Sequence, residues 1–311
     1  MGNKQMEKSL FSQMHHVGLL VEDADRVAEY YRSLGIGPFK PRSTDTIQNK
    51  TMYGKPTDFK LKVAAVQLGA LEIEMIQPLE NAPVHQDYLE RKGDGIHHVA
   101  FLVNDIDNGM ARMVDKGLDV ILTARRPPGG GVYLDTSEVG DTVIELVQWP
   151  SGMGKVDDVE KKETGPALSR IGQVGVLVRD MGRAVEYYQS LGIGPFEPLN
   201  ITVIERNVYG KPADDVRNLA RATQIGQVQF ELIQPISGES AQKEFLENKG
   251  EGINHLGFFV DDIDKEMAGM VKKGFSDIHS GKFAGGGGFA YFDTDRVGGV
   301  QFELIQWPPA L

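Results

Sequence analysis

The feature that most constrains this chain is an internal duplication, because two copies of one pattern imply two copies of one fold. The segment VAEYYRSLGIGPF, which begins at Val27, returns as AVEYYQSLGIGPF from Ala184. GIHHVAFLVNDID returns as GINHLGFFVDDID, and IELVQWP returns as FELIQWP. The copies lie 156 to 158 positions apart, so small insertions separate elements that stay in step. The chain therefore reads as two similar halves.

The repeats also set the domain boundaries. With 311 residues the chain is long enough for about two domains. Between the copies lies SGMGKVDDVEKKETGPA, a polar segment with charged residues, glycine and proline that is typical of a linker. We therefore predict a domain over residues 1–150, a linker over 151–167 and a second domain over 168–311.

Each half is itself built from two similar units. The apolar run HHVGLLV has the length of a strand and precedes a helical pattern in which Val27, Tyr30, Tyr31 and Leu34 share a face. Gly35 is expected to end that helix. The strand-like runs LKVAAVQL and LEIEMIQP follow, and the order then restarts at IHHVAFLV. The chain is thus predicted to hold four strand–helix–strands units.

Composition excludes several classes of function. The formal net charge is −11 and the sequence pI is about 5.2, which argues against a nucleic-acid partner or an anionic membrane surface. The chain has no cysteine, so disulfides and thiolate metal sites are excluded. No signal-peptide core and no membrane-length apolar run occurs. We expect a soluble cytoplasmic protein that acts on a small-molecule substrate.

Imidazole and carboxylate side chains within the apolar strands need a chemical reason, because burying an unpaired charge is costly. The duplication provides a test, since residues kept in both halves can share a role. In the repeated strand, His98 matches His255, whereas the neighbouring His97 matches Asn254. The comparison favours His98 as a metal ligand and interprets His97 as only its strand neighbour.

The same comparison selects one quartet of candidate ligands in each half. The first quartet is His16, Glu74, His98 and Glu145, and the second quartet is Gln173, Glu231, His255 and Glu303. Such ligands suit a borderline or hard divalent cation, and four of them leave two of six octahedral positions open. Open positions are typical of a catalytic metal. We predict a divalent metal ion, one of Co, Zn, Ni, Mn, Mg or Fe, in each half.

The quartets, on paired strand–helix–strand–strand–strand units, resemble the vicinal oxygen chelate (VOC) superfamily. That superfamily includes glyoxalase I, methylmalonyl-CoA epimerase, bleomycin-resistance proteins and extradiol dioxygenases. The resemblance covers nearly the whole chain, once per half. HHVGLLVEDADRVAEYY, GDGIHHVAFLVNDID and IELVQWP are similar to segments of the epimerase, and the second quartet is similar to the Gln/Glu/His/Glu set of glyoxalase I.

This resemblance implies an α+β fold of four βαβββ modules in tandem glyoxalase-like domains. Paired modules would curl an eight-stranded sheet into a cup around each metal. The family places its ligands on the first strand, the fourth strand, the later histidine strand and the final strand, which here carry the two quartets. The halves would together mimic a dimer of the smaller enzymes, so a monomer (a pseudo-dimer) or a homodimer is expected.

The resemblance also implies isomerase, epimerase or lyase chemistry that stabilises an enolate of an α-acidic carbonyl substrate. Candidate substrates are a CoA thioester, a 2-keto or 2-hydroxy acid, and a keto sugar. A nearby carboxylate would move the proton to or from carbon. Candidates for this base are Glu145, Glu303 and, by alignment through the repeated YGKP turn, Glu205.

Two other functions stay open. Fe(II)-dependent ring-cleaving or 2-oxo-acid dioxygenases of the superfamily are also tandem chains of about this length. They use two histidines and one glutamate, normally in the C-terminal half, where this chain has Gln173. A metal-free small-molecule binding or resistance protein is the other alternative, although such relatives usually lose the ligand residues that both halves retain here.

Glycine runs precede one strand in each half and are candidate anchors for an anionic group. Arg125 and Arg126 come before the first run, whereas Gly281 and Lys282 come before the second. An anion site at these loops would therefore differ between the halves.

Overall fold

The computed structural model describes residues 9–44, 47–149 and 168–309, so the predicted linker at 151–167 lies outside the described residues. The strands of the first half are β1 (Met14–Leu20), β2 (Lys40–Arg42), β3 (Gln48–Met52), β4 (Lys55–Pro56), β5 (Lys60–Leu68), β6 (Leu71–Glu80), β7 (Gly95–Leu102), β8 (Val120–Arg126), β9 (Gly129–Leu134) and β10 (Val143–Gln148). Its helices are α1 (Ala24–Leu34), α2 (Pro83–Lys92) and α3 (Ile106–Val114).

The second half repeats this order of elements. Its strands are β11 (Ile171–Leu177), β12 (Glu197–Pro198), β13 (Val203–Val208), β14 (Lys211–Pro212), β15 (Arg217–Ile225), β16 (Val228–Ser237), β17 (Gly252–Phe259), β18 (Asp277–Phe283), β19 (Gly288–Phe292) and β20 (Gln301–Gln306). Its helices are α4 (Met181–Leu191), α5 (Ala241–Lys249) and α6 (Ile263–Lys272), with a short 3₁₀ helix at Thr294–Arg296.

The strands of each half form one curved sheet. In the first half the hydrogen-bonded order is β2–β5–β6–β1–β7–β10–β9–β8–β3–β4. Strand β3 leaves its own module to pair with β8 of the next, which ties the two modules into a cup of eight longer strands. The second half repeats every one of these pairings. The predicted α+β fold of four βαβββ modules is confirmed.

Helix α1 begins and ends where the sequence predicts. The side chain of Asp23 accepts hydrogen bonds from backbone N–H groups of the first turn, which otherwise lack partners. Gly35 ends the helix with a φ of 96°, a conformation that glycine adopts without a side-chain clash. The buried face, which includes Val27, Tyr31 and Leu34, packs into the core on the outside of the cup.

The two halves share a single core. The ring of Tyr31 on α1 meets Phe302 on β20 edge to face, with centroids 5.5 Å apart. In the opposite direction, the hydroxyl of Tyr188 on α4 donates a hydrogen bond to the Val139 carbonyl oxygen of the first half at 3.2 Å. Each half thus covers its outer surface partly with a helix of the other half.

These two tyrosines give a matched stability prediction. Both are fully buried, but the Tyr31 hydroxyl has no hydrogen-bond partner within the described residues, whereas the Tyr188 hydroxyl has one. Tyr31→Phe should therefore leave the free energy of unfolding unchanged or raise it, while Tyr188→Phe should lower it by about 1 kcal/mol. Urea unfolding of both variants measures the difference, and equal losses would contradict the prediction.

Candidate metal centre

Four neighbouring strands of the first cup bring the first quartet together. In the order β6, β1, β7 and β10 they carry Glu74, His16, His98 and Glu145. The Nε2 atom of His16 lies 2.9 Å from Glu145 Oε2 and 3.6 Å from Glu74 Oε2. The Nε2 atom of His98 lies 3.3 Å from Glu145 Oε2 and 3.4 Å from His16 Nε2. Four side chains that are distant in sequence thus converge on one centre.

Glycines make room for two of these ligands. Gly18 on β1 lies opposite His98, and a Cβ atom at Gly18 would lie 1.8 Å from His98 Cε1. A Cβ atom at Gly131 would lie 2.2 Å from Glu145 Oε1. Any larger residue at either position would displace the neighbouring ligand, so the two glycines are part of the centre.

Opposite charges dominate the protonation of the first quartet. Burial opposes the charged form of Glu145, but His16 and His98 outweigh it and lower the pKa of Glu145 to about 2. Burial likewise opposes the charge on His16, but Glu74 and Glu145 raise its pKa to about 9. Glu145 Oε2 is buried between two imidazoles, with His16 Nε2 at 2.9 Å and His98 Nε2 at 3.3 Å. A metal cation held by these three side chains would take the place of the proton that His16 carries.

The far ring nitrogens of both histidines are held by neighbouring imidazoles. His15 Nδ1 lies 2.9 Å from His16 Nδ1, and His97 Nδ1 lies 3.1 Å from His98 Nδ1. Burial followed by the adjacent ligand imidazole lowers the pKa of His15 to about 3 and that of His97 well below its usual value. Both supports are therefore neutral, and each can accept a hydrogen bond from the Nδ1–H of the ligand, which leaves the Nε2 lone pair of that ligand for a metal.

Two β-bulges place these supporting imidazoles. The pairing of β1 with β7 shifts register at His15 and again at His97, so each is the extra residue of a bulge. Strict alternation would have sent both side chains to the face opposite the ligands. The sequence interpretation of His97 as only a strand neighbour therefore missed its contact with His98.

Arg42 supports the centre from the cup wall. Its guanidinium pairs with Glu74 Oε1 at 3.0 Å and with the carboxylate of Glu72. Glu74 thereby keeps its second oxygen, Oε2, directed toward His16. Two overlapping groups of side chains each bring three possible ligand atoms within 4.8 Å of one another. One group is His15, His16 and Glu72, and the other is His16, Glu74 and His98. Sequence comparison missed Arg42 and Glu72, because neither is kept in the second half.

The first quartet lies at an open cavity of about 460 Å³. Its apolar walls are formed by Phe59, Leu61, Val63, Ile76 and Leu122. A cavity of this size, with an apolar wall facing a cluster of polar side chains, is typical of a site for a small molecule.

Cations and an indole line another part of this cavity. Arg42 and Arg126 lie over the ring of Trp149, with guanidinium carbons 5.3 and 5.6 Å from its centroid. The Nε atom of Arg126 and the Nε1 atom of Trp149 are buried and have no hydrogen-bond partner among the described residues. Two residues of the cavity lining thus each hold a buried donor without a partner among the described residues.

The second quartet has the same arrangement with one ligand changed. The Nε2 atom of His255 lies 3.5 Å from Glu231 Oε2, 3.3 Å from Glu303 Oε2 and 3.3 Å from Gln173 Oε1. Gln173 lies where the first half has His16, and its amide carries no positive charge. The second centre therefore has one positive charge fewer than the first. Burial, followed by Glu231, raises the pKa of Glu303 well above its usual range. Without a metal, Glu303 therefore holds a proton where Glu145 is ionised.

Aromatic side chains close the second cup. Phe289 occupies the position of Gly131, and Phe283 occupies the position of Arg126. Phe283 stacks on Trp307 with centroids 5.9 Å apart and also packs against Phe289. A cavity of about 700 Å³ in this half is lined in part by Phe283 and Phe289, but no member of the second quartet lines it.

Glu205 lies outside the second cluster. Its neighbour on β13, Arg206, points inward and reaches His279 Nε2 at 3.1 Å. Strand alternation directs Glu205 outward, where its exposed carboxylate pairs with Lys282 at 2.9 Å. The structure therefore does not bring Glu205 to the quartet with which sequence alignment had grouped it.

Comparison with known proteins agrees with this architecture. The sequence profile of the Glyoxalase/Bleomycin resistance protein/Dioxygenase superfamily matches residues 15–136 and again residues 172–292. The chain belongs to this superfamily. The family resemblance inferred from the duplicated motifs is confirmed, and the superfamily match occurs once in each half.

Two bacterial relatives are similar to parts of the chain. The uncharacterized protein YqjC of Bacillus subtilis (strain 168) is 27% identical over 146 residues, which cover 45% of this chain and 94% of YqjC. The uncharacterized protein YwkD of the same organism is 30% identical over 99 residues, which cover 32% of this chain and 72% of YwkD. YqjC thus corresponds in length to one half of this superfamily member.

Two solved structures share the fold. A mutant of 4-hydroxymandelate synthase from Streptomyces coelicolor superposes with a TM-score of 0.60 at 21% identity, covering 95% of this chain and 92% of that chain. A xylose isomerase-like TIM barrel/4-hydroxyphenylpyruvate dioxygenase fusion protein gives a TM-score of 0.52 at 14% identity, covering 97% of this chain and 50% of that chain. At these identities the likeness shows the fold alone.

Within the described part of the chain, no helix has both the length and the apolar composition required to cross a bilayer.

Proposed function

We propose that the first half is a divalent-metal-dependent active site that moves a proton at a carbon next to a carbonyl group, as an isomerase, epimerase or lyase does. The observation that carries this proposal is the environment of Glu145. Its buried Oε2 lies within 3.3 Å of two imidazole nitrogens, and the residue lines the open cavity. An ionised carboxylate so placed can hold a cation and accept a proton.

The donor set suits a metal. His16 and His98 would each offer Nε2, and Glu74 and Glu145 would each offer a carboxylate oxygen. The metal would supply Lewis-acid stabilisation of negative charge on the substrate oxygen, an effect worth several kcal/mol. We propose one of Co, Zn, Ni, Mn, Mg or Fe for this site.

The remaining chemistry is assigned to side chains of the chain. Glu145 is assigned as the base from its position, because it lines the open cavity and a carboxylate oxygen there can take the proton from carbon. Tyr133 packs 4.7 Å from the ring of His98 and helps to hold that ligand in place. The apolar walls exclude water from the reacting carbon.

The cavity favours a substrate with a carboxylate. Arg42 is already engaged by two glutamates, whereas Arg126 forms no ion pair with a described residue. Arg126 and the indole N–H of Trp149 can together bind one carboxylate. Of the substrate classes that the family chemistry offers, this arrangement favours a 2-keto or 2-hydroxy acid over a CoA thioester or a keto sugar.

For the second half we propose a structural role. Phe289 and Phe283 fill its cup, and protonated Glu303 is a poor base. Glu303 is therefore not assigned as a catalytic residue, and neither is exposed Glu205.

An Fe(II) dioxygenase is the second candidate. His16, His98 and Glu145 are two histidines and one carboxylate in mutual contact, which is the ligand set of such enzymes. Glu74 as a fourth ligand argues against it.

Deuterium exchange with an oxygen electrode distinguishes the candidates. The metal-loaded protein in D₂O is offered a panel of 2-keto acids, 2-hydroxy acids and acyl thioesters. We expect deuterium at the carbon next to the carbonyl group without oxygen uptake. His98→Ala should abolish the exchange, and His97→Ala should reduce it by about 10- to 100-fold, because His97 holds the far ring nitrogen of His98. Oxygen uptake would instead support the dioxygenase, and binding without exchange or metal would support a metal-free binding protein.

A further inference from the structure

His85 is a fully buried histidine in the first turn of α2 that the proposed reaction does not use. Neither of its ring nitrogens has a hydrogen-bond partner within the described part of the chain. It nevertheless lines the first cavity, next to Phe59 and Leu122. Burying two unpartnered ring nitrogens costs free energy, so a polar group entering the cavity would be bound there.

The second half shows what this position does when the cup is closed. Gln242 on α5 occupies the place of His85, and its Oε1 atom lies 2.5 Å from His279 Nδ1. His279 lies opposite Tyr291 on the paired strand, as Leu122 lies opposite Tyr133 in the first half. Leu122 thus replaces His279, the hydrogen-bond partner of Gln242, in the first half. His85 therefore has no such partner and lines the open cavity.

We propose that His85 binds a neutral polar group of the substrate, a hydroxyl or a carbonyl, at a point separate from the first quartet. This inference rests on the proposed function, because it adds a second contact to the same substrate. Phe59, Leu122 and Tyr133 surround the imidazole and would leave a charged group without compensation. Burial also lowers the pKa of His85 to about 3, so the ring offers one donor and one acceptor.

The substrate class follows from this second contact. The substrate carries a carbonyl acid function at one end and an apolar body that lies along the cavity wall. It also carries an uncharged oxygen that reaches His85. The cavity of about 460 Å³ has room for such a molecule.

Phenol and toluene test this subsite because they have nearly the same shape and differ by one hydroxyl. Dissociation constants are measured by NMR titration of protein labelled with ¹⁵N in its histidine rings, without added metal. We expect phenol to bind about 3- to 10-fold more tightly than toluene. We also expect phenol to shift the ring nitrogens of His85, whose signals are identified by their absence in His85→Leu.

Variants separate a binding role from a structural one. His85→Leu should remove the preference for phenol, and His85→Gln, which installs the residue of the second half, should restore part of it. Gln242→Leu should leave the preference unchanged. Equal affinities for phenol and toluene in the wild-type protein, an unchanged ratio in His85→Leu, or no binding of either probe up to its solubility limit would overturn the proposal.

Failure of this inference and failure of the proposed function are distinguishable. The phenol preference needs no metal, whereas deuterium exchange does. If exchange is absent but the His85-dependent preference for phenol is present, only the proposed metal-dependent reaction is overturned. If exchange occurs but phenol is not preferred, only the role of His85 is overturned.

Discussion

Glu145→Gln is expected to reduce deuterium exchange at the substrate carbon by about 10²–10⁴-fold, the usual contribution of a positioned general base. Glutamine keeps the shape of the side chain but removes its negative charge. In the wild-type protein the two imidazoles keep the Glu145 carboxylate ionised. The variant should also bind metal more weakly, because it loses an anionic ligand. NMR detection of the exchanged deuterium and metal analysis of the dialysed protein measure both effects.

Glu303→Gln is the matched control for this variant. Glu303 belongs to the half for which we propose a structural role, and glutamine has the same shape, so this replacement should change little. Exchange should stay near the wild-type rate. Equal loss of exchange in the two variants, or no loss in Glu145→Gln, would contradict the assignment of the base to the first half.

Gly18→Ala is expected to lower the metal affinity of the first half by about 100-fold or more, a loss at the upper end of what changes around a metal site cause. The added Cβ atom would lie 1.8 Å from His98 Cε1, so the imidazole has to leave its place beside His16. Overpacking of this kind also costs about 1–3 kcal/mol of stability. Metal titration and thermal unfolding measure the two effects separately.

Gly175→Ala makes the same change in the second half, where the new Cβ atom would lie 1.8 Å from His255 Cε1. Its loss of stability should be similar, but metal binding by the first half should not change. If Gly175→Ala weakens that binding as much as Gly18→Ala does, the effect of Gly18→Ala is a general loss of folding and not the displacement of His98.

Much of the fold is readable from the sequence because the duplication and the strand patterns are strong. The helical spacing of Val27, Tyr31 and Leu34 predicts α1, and Gly35 predicts its end. By contrast, α2 and α5 have little amphipathic character and were not predicted. The short, polar strand β3 was also missed, because it is defined by its pairing with β8 in the next module and not by its own sequence.

Agreement between the halves predicted three ligands of the candidate site. Glu74, His98 and Glu145 were selected because Glu231, His255 and Glu303 repeat them, whereas His16 was included although Gln173 matches it. Arg42 and His85 were missed for the same reason, since they have no counterpart of their type in the second half. The bulges that bring His15 and His97 beside the ligands depend on the register between two strands, which the alternation of one strand does not reveal.

The difference between the halves follows from a few substitutions at equivalent positions. In the first half, the positive charge of His16 helps to keep Glu145 ionised, and the second half has the uncharged Gln173 at that position. Gly131 leaves space open in the first cup, and Phe289 fills the equivalent space in the second. One half thus keeps a cluster that lines an open cavity, while the other keeps the same framework with aromatic side chains packed in its cup.

Anomalous diffraction from crystals soaked in Co²⁺ tests the central claim most directly. If the metal binds as proposed, an anomalous peak appears in the first cup. It lies about 2.0–2.2 Å, the usual ligand distance for such ions, from each of four ligand atoms: His16 Nε2, His98 Nε2 and one oxygen each of Glu74 and Glu145. Absence of a peak between these four side chains, with Glu74 and Glu145 turned away from the histidines, would contradict it.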